Sequence, residues 1–240
     1  MQGQTPTNES AESAESAEQW PKGQPARSHN SRLVVSYLLL RKSVGCLGML
    51  LPFVLIIGGS LLFGLSVQDT VSDYYHTGMR DVFVGTLCAM GVFLYSYNGY
   101  SRKDNRAGNL ASLFVIATAL FPTTPIAPSP LAATLGKIHV ISAVSYFLTL
   151  AYFSLILFTK TDPLQPPTPQ KLKRNKVYRI CGYTILGAIA LIALYLFTTS
   201  QATREVISES FDPIFWLESV AIFAFGISWY VKGEGLLKDK

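Results

Sequence analysis

Two histidines, a few carboxylates and one tyrosine carry most of the chemistry this sequence offers. Asp73, His76, Arg80 and Asp81 fall within the polar run Gln68 to Asp81; Lys137 and His139 open a later apolar stretch that goes on to Tyr146; Glu218 stands five residues after Pro213. His76, His139 and Glu218, with Asp73 as a further oxygen donor, have the types of a catalytic zinc site that keeps one position open for water. The signal is weak, because no two histidines stand four residues apart and the third, His29, belongs to a distant tail. Interfacial histidines, with no metal and no other cofactor, are the expectation.

Simpler roles compete for several of these residues. Asp81 and Asp212 stand where helix N-caps belong, Asp212 with Pro213 next in line. Tyr74 and Tyr75 read as an interfacial aromatic belt. Glu218 has no such explanation. At 1.5 Å per residue it lies roughly 7 to 8 Å inside its helix, where a carboxylate costs a few kcal/mol unless paired or neutralised. It is expected to face the bundle and pair with Arg80, Lys137 or His139. Asp73, His76, Arg80, Asp81, His139, Tyr146 and Glu218 are thus the candidate lining of one polar pocket.

The elements that must position them are membrane helices. The 240 residues are 49% apolar and 15% charged, with a mean hydropathy of +0.30, which does not describe a soluble surface. Apolar runs occur at about 44–65, 82–98, 108–121, 138–158, 179–198 and 213–231. At roughly 20 residues per crossing, six spans use half the chain and leave no room for a soluble catalytic domain. The fold class predicted is all-α, a six-helix polytopic membrane bundle over residues 32–240, preceded by a disordered cytoplasmic tail over residues 1–31, where Glu9, Glu12, Glu15 and Glu18 repeat among Ser and Ala. The first span reads as an uncleaved anchor.

Seventeen Lys and Arg fall on the side of the termini and the second and fourth connections, and only Arg80, Lys137 and Arg204 on the other. This places both termini in the cytoplasm and the candidate pocket at the outer end. The net charge of +5 then needs no nucleic acid. Cys46, Cys88 and Cys181 lie in or beside spans and read as packing residues. Small residues should mark close helix approach: Gly45, Gly48, Gly58 and Gly59, the pair Ser60 and Gly64, and the pair Gly85 and Ala89, with a kink at Pro52. His139, Ser142, Tyr146, Thr149 and Phe153 share one helical face, expected to look inward, while Ile138, Val140, Leu148 and Leu150 look elsewhere.

The stretch Ser72 to Asn105, with YYHTGMRDVFVG as its most specific part, together with ALFPTTP at 119–125 and GKIHVISA at 136–143, resembles the uncharacterised bacterial six-helix membrane proteins of domain-of-unknown-function family 998 or a close neighbour. The resemblance covers about residues 44–231. It implies a multi-pass protein of the bacterial inner membrane and supplies no activity. A remoter comparison, with the seven-helix alkaline ceramidases and adiponectin-type receptors, meets a different pattern, since those use three histidines and the last span here has none.

The leading functional reading is a non-catalytic membrane protein whose outer pocket takes a lipid headgroup or small polar ligand, or which serves as a membrane sensor or partner of other membrane proteins. A metal-dependent intramembrane lipid hydrolase is the alternative and a small secondary transporter the third.

Overall fold

A computed structural model describes residues 26–97, 99, 101–125, 127–161, 166–208 and 211–237. Among the described residues every regular element is helical and there is no strand. In order they are α1 (Ala26–Phe63), a 3-10 turn (Ser72–His76), α2 (Arg80–Tyr95), α3 (Arg102–Leu120), α4 (Pro130–Tyr152) continued by a π turn (Phe153–Leu157), α5 (Pro169–Thr198), the short α6 (Gln201–Ser208) and α7 (Pro213–Lys232). Residues 1–36 form one unit and Tyr37–Lys240 another. The expected tail lies outside the described residues up to position 25; helix already begins at Ala26, within the stretch read as tail.

Local sequence explains the helix starts. Ser129 and Thr168 each accept a hydrogen bond from the amide three residues on, Ala132 and Lys171, with Pro130 and Pro169 at the first helical positions. Ser101 and Asp104 form a reciprocal capping box that opens α3. The π turn closes with the Phe158 amide donating to the Phe153 carbonyl at 2.8 Å. Phe153 and Phe158, on its two sides, both pack on Trp229, with ring centroids 5.3 and 5.4 Å away.

Four helices are long and apolar enough to cross a bilayer: Tyr37–Phe63, Pro130–Leu157, Pro169–Thr198 and Pro213–Lys232. The 16 residues of α2 span only about 24 Å. The 19 residues of α3 begin with Arg102, Lys103, Asp104 and Arg106, so its apolar part is shorter still than a 30 Å hydrocarbon core. Six apolar runs therefore become four helices of membrane length and a shorter pair, α2 and α3, packed on each other. Outward-facing Leu61 and Phe197 are 79% and 90% exposed, a surface suited to lipid rather than water. The chain is an all-helical protein of membrane-embedded type.

Three of the four long helices, α1, α4 and α5, start earlier than hydropathy indicates, while α7 starts where its apolar run does. The first turns of α5 carry Lys171, Lys173, Arg174 and Lys176, charges that read as loop but continue the helix. Successive helices alternate in direction, so that the connections after α1, α3 and α5 share one end of the bundle. Those after α2 and α4, and the residues after α7, share the other. Helix α7 is central: half of its membrane-length window is buried, against 22% for that of α5.

Close approach of α1 and α7 rests on glycine. A Cβ on Gly45 would stand 2.7 Å from the Gly226 carbonyl and 2.8 Å from the Tyr230 amide, and one on Gly48 would stand 3.1 Å from the Phe225 ring. Gly58 and Gly59 pack against Met79 and Tyr74. The pairs expected at Ser60/Gly64 and Gly85/Ala89 are not contacts of this kind, because a Cβ on Gly64 or Gly85 would meet nothing within 4 Å. Gly64, at φ +64°, instead ends α1 in a left-handed conformation. Spacing identified small residues but not which face they occupy.

Gly45→Ala is expected to lower stability by about 1–3 kcal/mol, since the obstructing atoms are backbone and cannot rotate away. Gly85→Ala, in open space within a helix, should be neutral or stabilising by up to about 1 kcal/mol. Thermal unfolding of both variants in detergent checks the contrast.

Candidate functional site

Of the seven residues singled out by sequence, three, Glu218, His139 and His76, are held by hydrogen bonds to the backbone of another segment. Glu218 is partly buried on α7, and its Oε2 accepts a hydrogen bond from the Val71 amide at 2.8 Å. The Phe215 amide, one turn earlier, donates to the Asp69 carbonyl at 3.1 Å. The loop before the 3-10 turn is thus clasped to the start of α7 by two bonds. Glu218 does not pair with Arg80, Lys137 or His139. Lys137 is exposed, the Arg80 guanidinium lies 4.5 Å over the Tyr75 ring and bonds its hydroxyl, and His139 has another partner. A backbone amide meets the need of a carboxylate for a donor without burying a second charge.

Both histidines are engaged by the α3–α4 connection. His139, buried on α4, donates from Nδ1 to the Phe121 carbonyl at 2.7 Å; His76, exposed at the end of the 3-10 turn, donates from Nε2 to the Thr123 carbonyl at 3.0 Å. Gly136 lets the same connection lie close, since a Cβ there would collide with Thr124. The imidazoles therefore staple the segment Phe121–Thr124. Among the described residues no three His, Cys, Asp or Glu side chains are placed to hold a metal. The set His76, His139 and Glu218 does not converge.

Asp73 is also local in its bonding: its Oδ2 accepts from the Thr70 hydroxyl at 2.8 Å and its amide donates back to Thr70 Oγ1. Neither expected carboxylate cap forms. Asp81 is exposed in the first turn of α2, which Met79 precedes without a side-chain cap. Asp212 makes no cap bond on α7, where the Asp69 carbonyl occupies that place, and its carboxyl meets the Asp69 carboxyl instead. Burial first, and then the Asp69 charge, hold Asp212 above the ordinary carboxylate range. Tyr74 is no belt residue. It is 1% exposed, stacks towards Phe215 at 6.2 Å, and burial raises its hydroxyl above the usual value.

The expected inward face of α4 forms from His139, Ser142, Tyr146 and Phe153. Thr149 is partly exposed and bonds the Ser145 carbonyl one turn back, while Leu150 is buried with Tyr146, four residues before it. Tyr146 is 7% exposed and its hydroxyl has no hydrogen-bond partner. It lines a cavity of about 40 Å³ that Glu218, Ser72 and Thr118 also line, among Phe83 and Phe225. That is room for about three water molecules. Of the seven candidates, only Glu218 and Tyr146 share this cavity.

Two features at the opposite end escaped sequence reading. Lys160 bridges Asp104 at 2.8 Å across the bundle, and Arg41, read as a flanking charge, is 3% exposed with its guanidinium 4.1 Å over Tyr37. Ser101-x-x-Asp104 was a legible capping signal; the reach of Lys160 was not. Comparison with known protein families, curated proteins and solved structures finds no match to this chain.

Glu218→Gln keeps an acceptor for the Val71 amide and should leave the melting temperature in detergent unchanged or higher, whereas Glu218→Leu strands that amide and should cost about 1–3 kcal/mol. Marked loss in Glu218→Gln rescued by Lys137→Met would contradict the clasp. For Asp212, a folded-state value raised above 3.8 means that stability is lost as pH rises through it. Asp212→Asn is accordingly expected to melt higher than the wild type at pH 7, with the difference vanishing below the unfolded value.

Proposed function

We propose that this chain is a non-catalytic, six-span protein of the bacterial inner membrane, related to the domain-of-unknown-function family 998, with both termini cytoplasmic. Its outer end takes a small polar ligand or the tip of a lipid headgroup in the cavity between Glu218 and Tyr146. The observation that carries the reading is that a carboxyl group and an unsatisfied phenol line one small space inside an apolar bundle. Such groups are costly in hydrocarbon and are kept where they bind something.

The distribution of Lys and Arg supports the orientation. The short pair α2 and α3 crosses, on this reading, with its charged ends drawn to the interface. A sensor role fits the same geometry, because a ligand that competes for Glu218 releases the loop at Val71 from α7.

Alkaline phosphatase fused after Gln201 should be active and after Gln170 inactive; the reverse, or activity at both, overturns the topology. Methylamine and ethanolamine, whose size matches a space for about three water molecules, are expected as probes to raise the melting temperature of the wild-type protein through this cavity. Tyr146→Phe should retain the unliganded melting temperature and lose that response. Equal responses in wild type and variant would sink the pocket assignment.

A further inference from the structure

A second face of α7 lines a separate space. Trp216, Ser219, Val220 and Ile227 recur at helical spacing along a groove of about 410 Å³ between Ile56 of α1 and Thr184 of α5. Trp216, Val220 and Ile227 remain exposed, so the groove opens sideways onto whatever surrounds the bundle. Ser219 is 7% exposed and is one of the residues that line the groove, and its buried hydroxyl has no hydrogen-bond partner. An unsatisfied hydroxyl beside a largely apolar space is relieved by an acceptor brought in from outside the chain.

The dimensions suit a narrow occupant. From Trp216 to Ile227 the helix advances about 16 Å, so 410 Å³ corresponds to a mean cross-section of about 25 Å². A helix about 10 Å across needs roughly three times that area, whereas a single extended hydrocarbon chain fits. Trp216 is of the type that settles at the headgroup level. Ser219 lies about 4.5 Å deeper, where the ester carbonyls of a diacyl lipid begin its chains. Another 12 Å or so of apolar groove follows to Ile227.

We infer that this groove seats one acyl chain of a diacyl glycerophospholipid, with the Ser219 hydroxyl donating to that chain's ester carbonyl. The site is independent of the Glu218 cavity, which other residues of α7 line.

The test uses the full-length protein in detergent with Trp20→Phe, leaving Trp216 in the groove and Trp229 buried. Phosphatidylcholine with dibrominated chains, added in increments, should quench Trp216 fluorescence to a plateau near one lipid per protein. The diether analogue, which lacks the carbonyl, should need about three- to tenfold more lipid, the span of one net hydrogen bond. Ser219→Ala should abolish the ester preference while retaining the plateau, and Val220→Phe, at the mouth of the groove, should abolish the plateau. Quenching that rises without saturation, equal ester and ether affinities in the wild type, or a plateau that appears only as the protein dimerises would each overturn the assignment. The Ser219→Ala comparison keeps the test decisive if Val220→Phe does not fold.

Discussion

A carboxylate more than one turn inside an apolar helix must find a donor, and Glu218 finds it in the amide of Val71. That bond fixes the loop after α1 against the start of α7. With the loop fixed, the Asp69 carbonyl can take the Phe215 amide and relieve the helix start that Asp212 leaves uncapped. Tyr74 is then buried against Phe215, and Met79 and Tyr74 fill the space left by Gly58 and Gly59. The apolar end of the bundle is organised around one polar requirement.

The two ends of the protein solve the problem of buried polarity differently. At the end holding Glu218, the carboxyl group and the imidazoles bond to backbone amides and carbonyls, so these polar groups are satisfied without a charged partner. At the other end, Asp104 takes both a capping role and the Lys160 ammonium, and Arg41 lies against tyrosine rings. Backbone partners are fixed in place and cost no side-chain entropy of their own. Ion pairs and cation–π contacts near an interface tolerate water and anchor helix ends.

Helix α7 divides two environments. Its Glu218 face meets a small space with a carboxyl group and a phenol; its Ser219 face meets a longer, largely apolar groove. Successive residues on a helix differ by 100°, so neighbours in sequence serve different spaces. Tight contact with α1 at Gly45 and Gly226 holds α7 in register for both.

Composition and apolar runs were enough to determine that this is a helical protein of membrane type, because the cost of unsatisfied backbone in hydrocarbon leaves few alternatives. The periodicity of α4 likewise placed His139, Ser142, Tyr146 and Phe153 on one buried face, since 3.6 residues per turn is a local property. Glu218 could be recognised as needing a partner from its depth alone. What the partner is could not be read, because every residue carries an amide and only the packed loop decides that Val71 presents its own. The same holds for His76 and His139: each finds a carbonyl in the α3–α4 connection, and only the packed structure shows that their rings do not converge with Glu218. Small-residue spacing marked Gly85 as readily as Gly45, yet only the relative rotation of whole helices determines which glycine faces a neighbour and which faces open space.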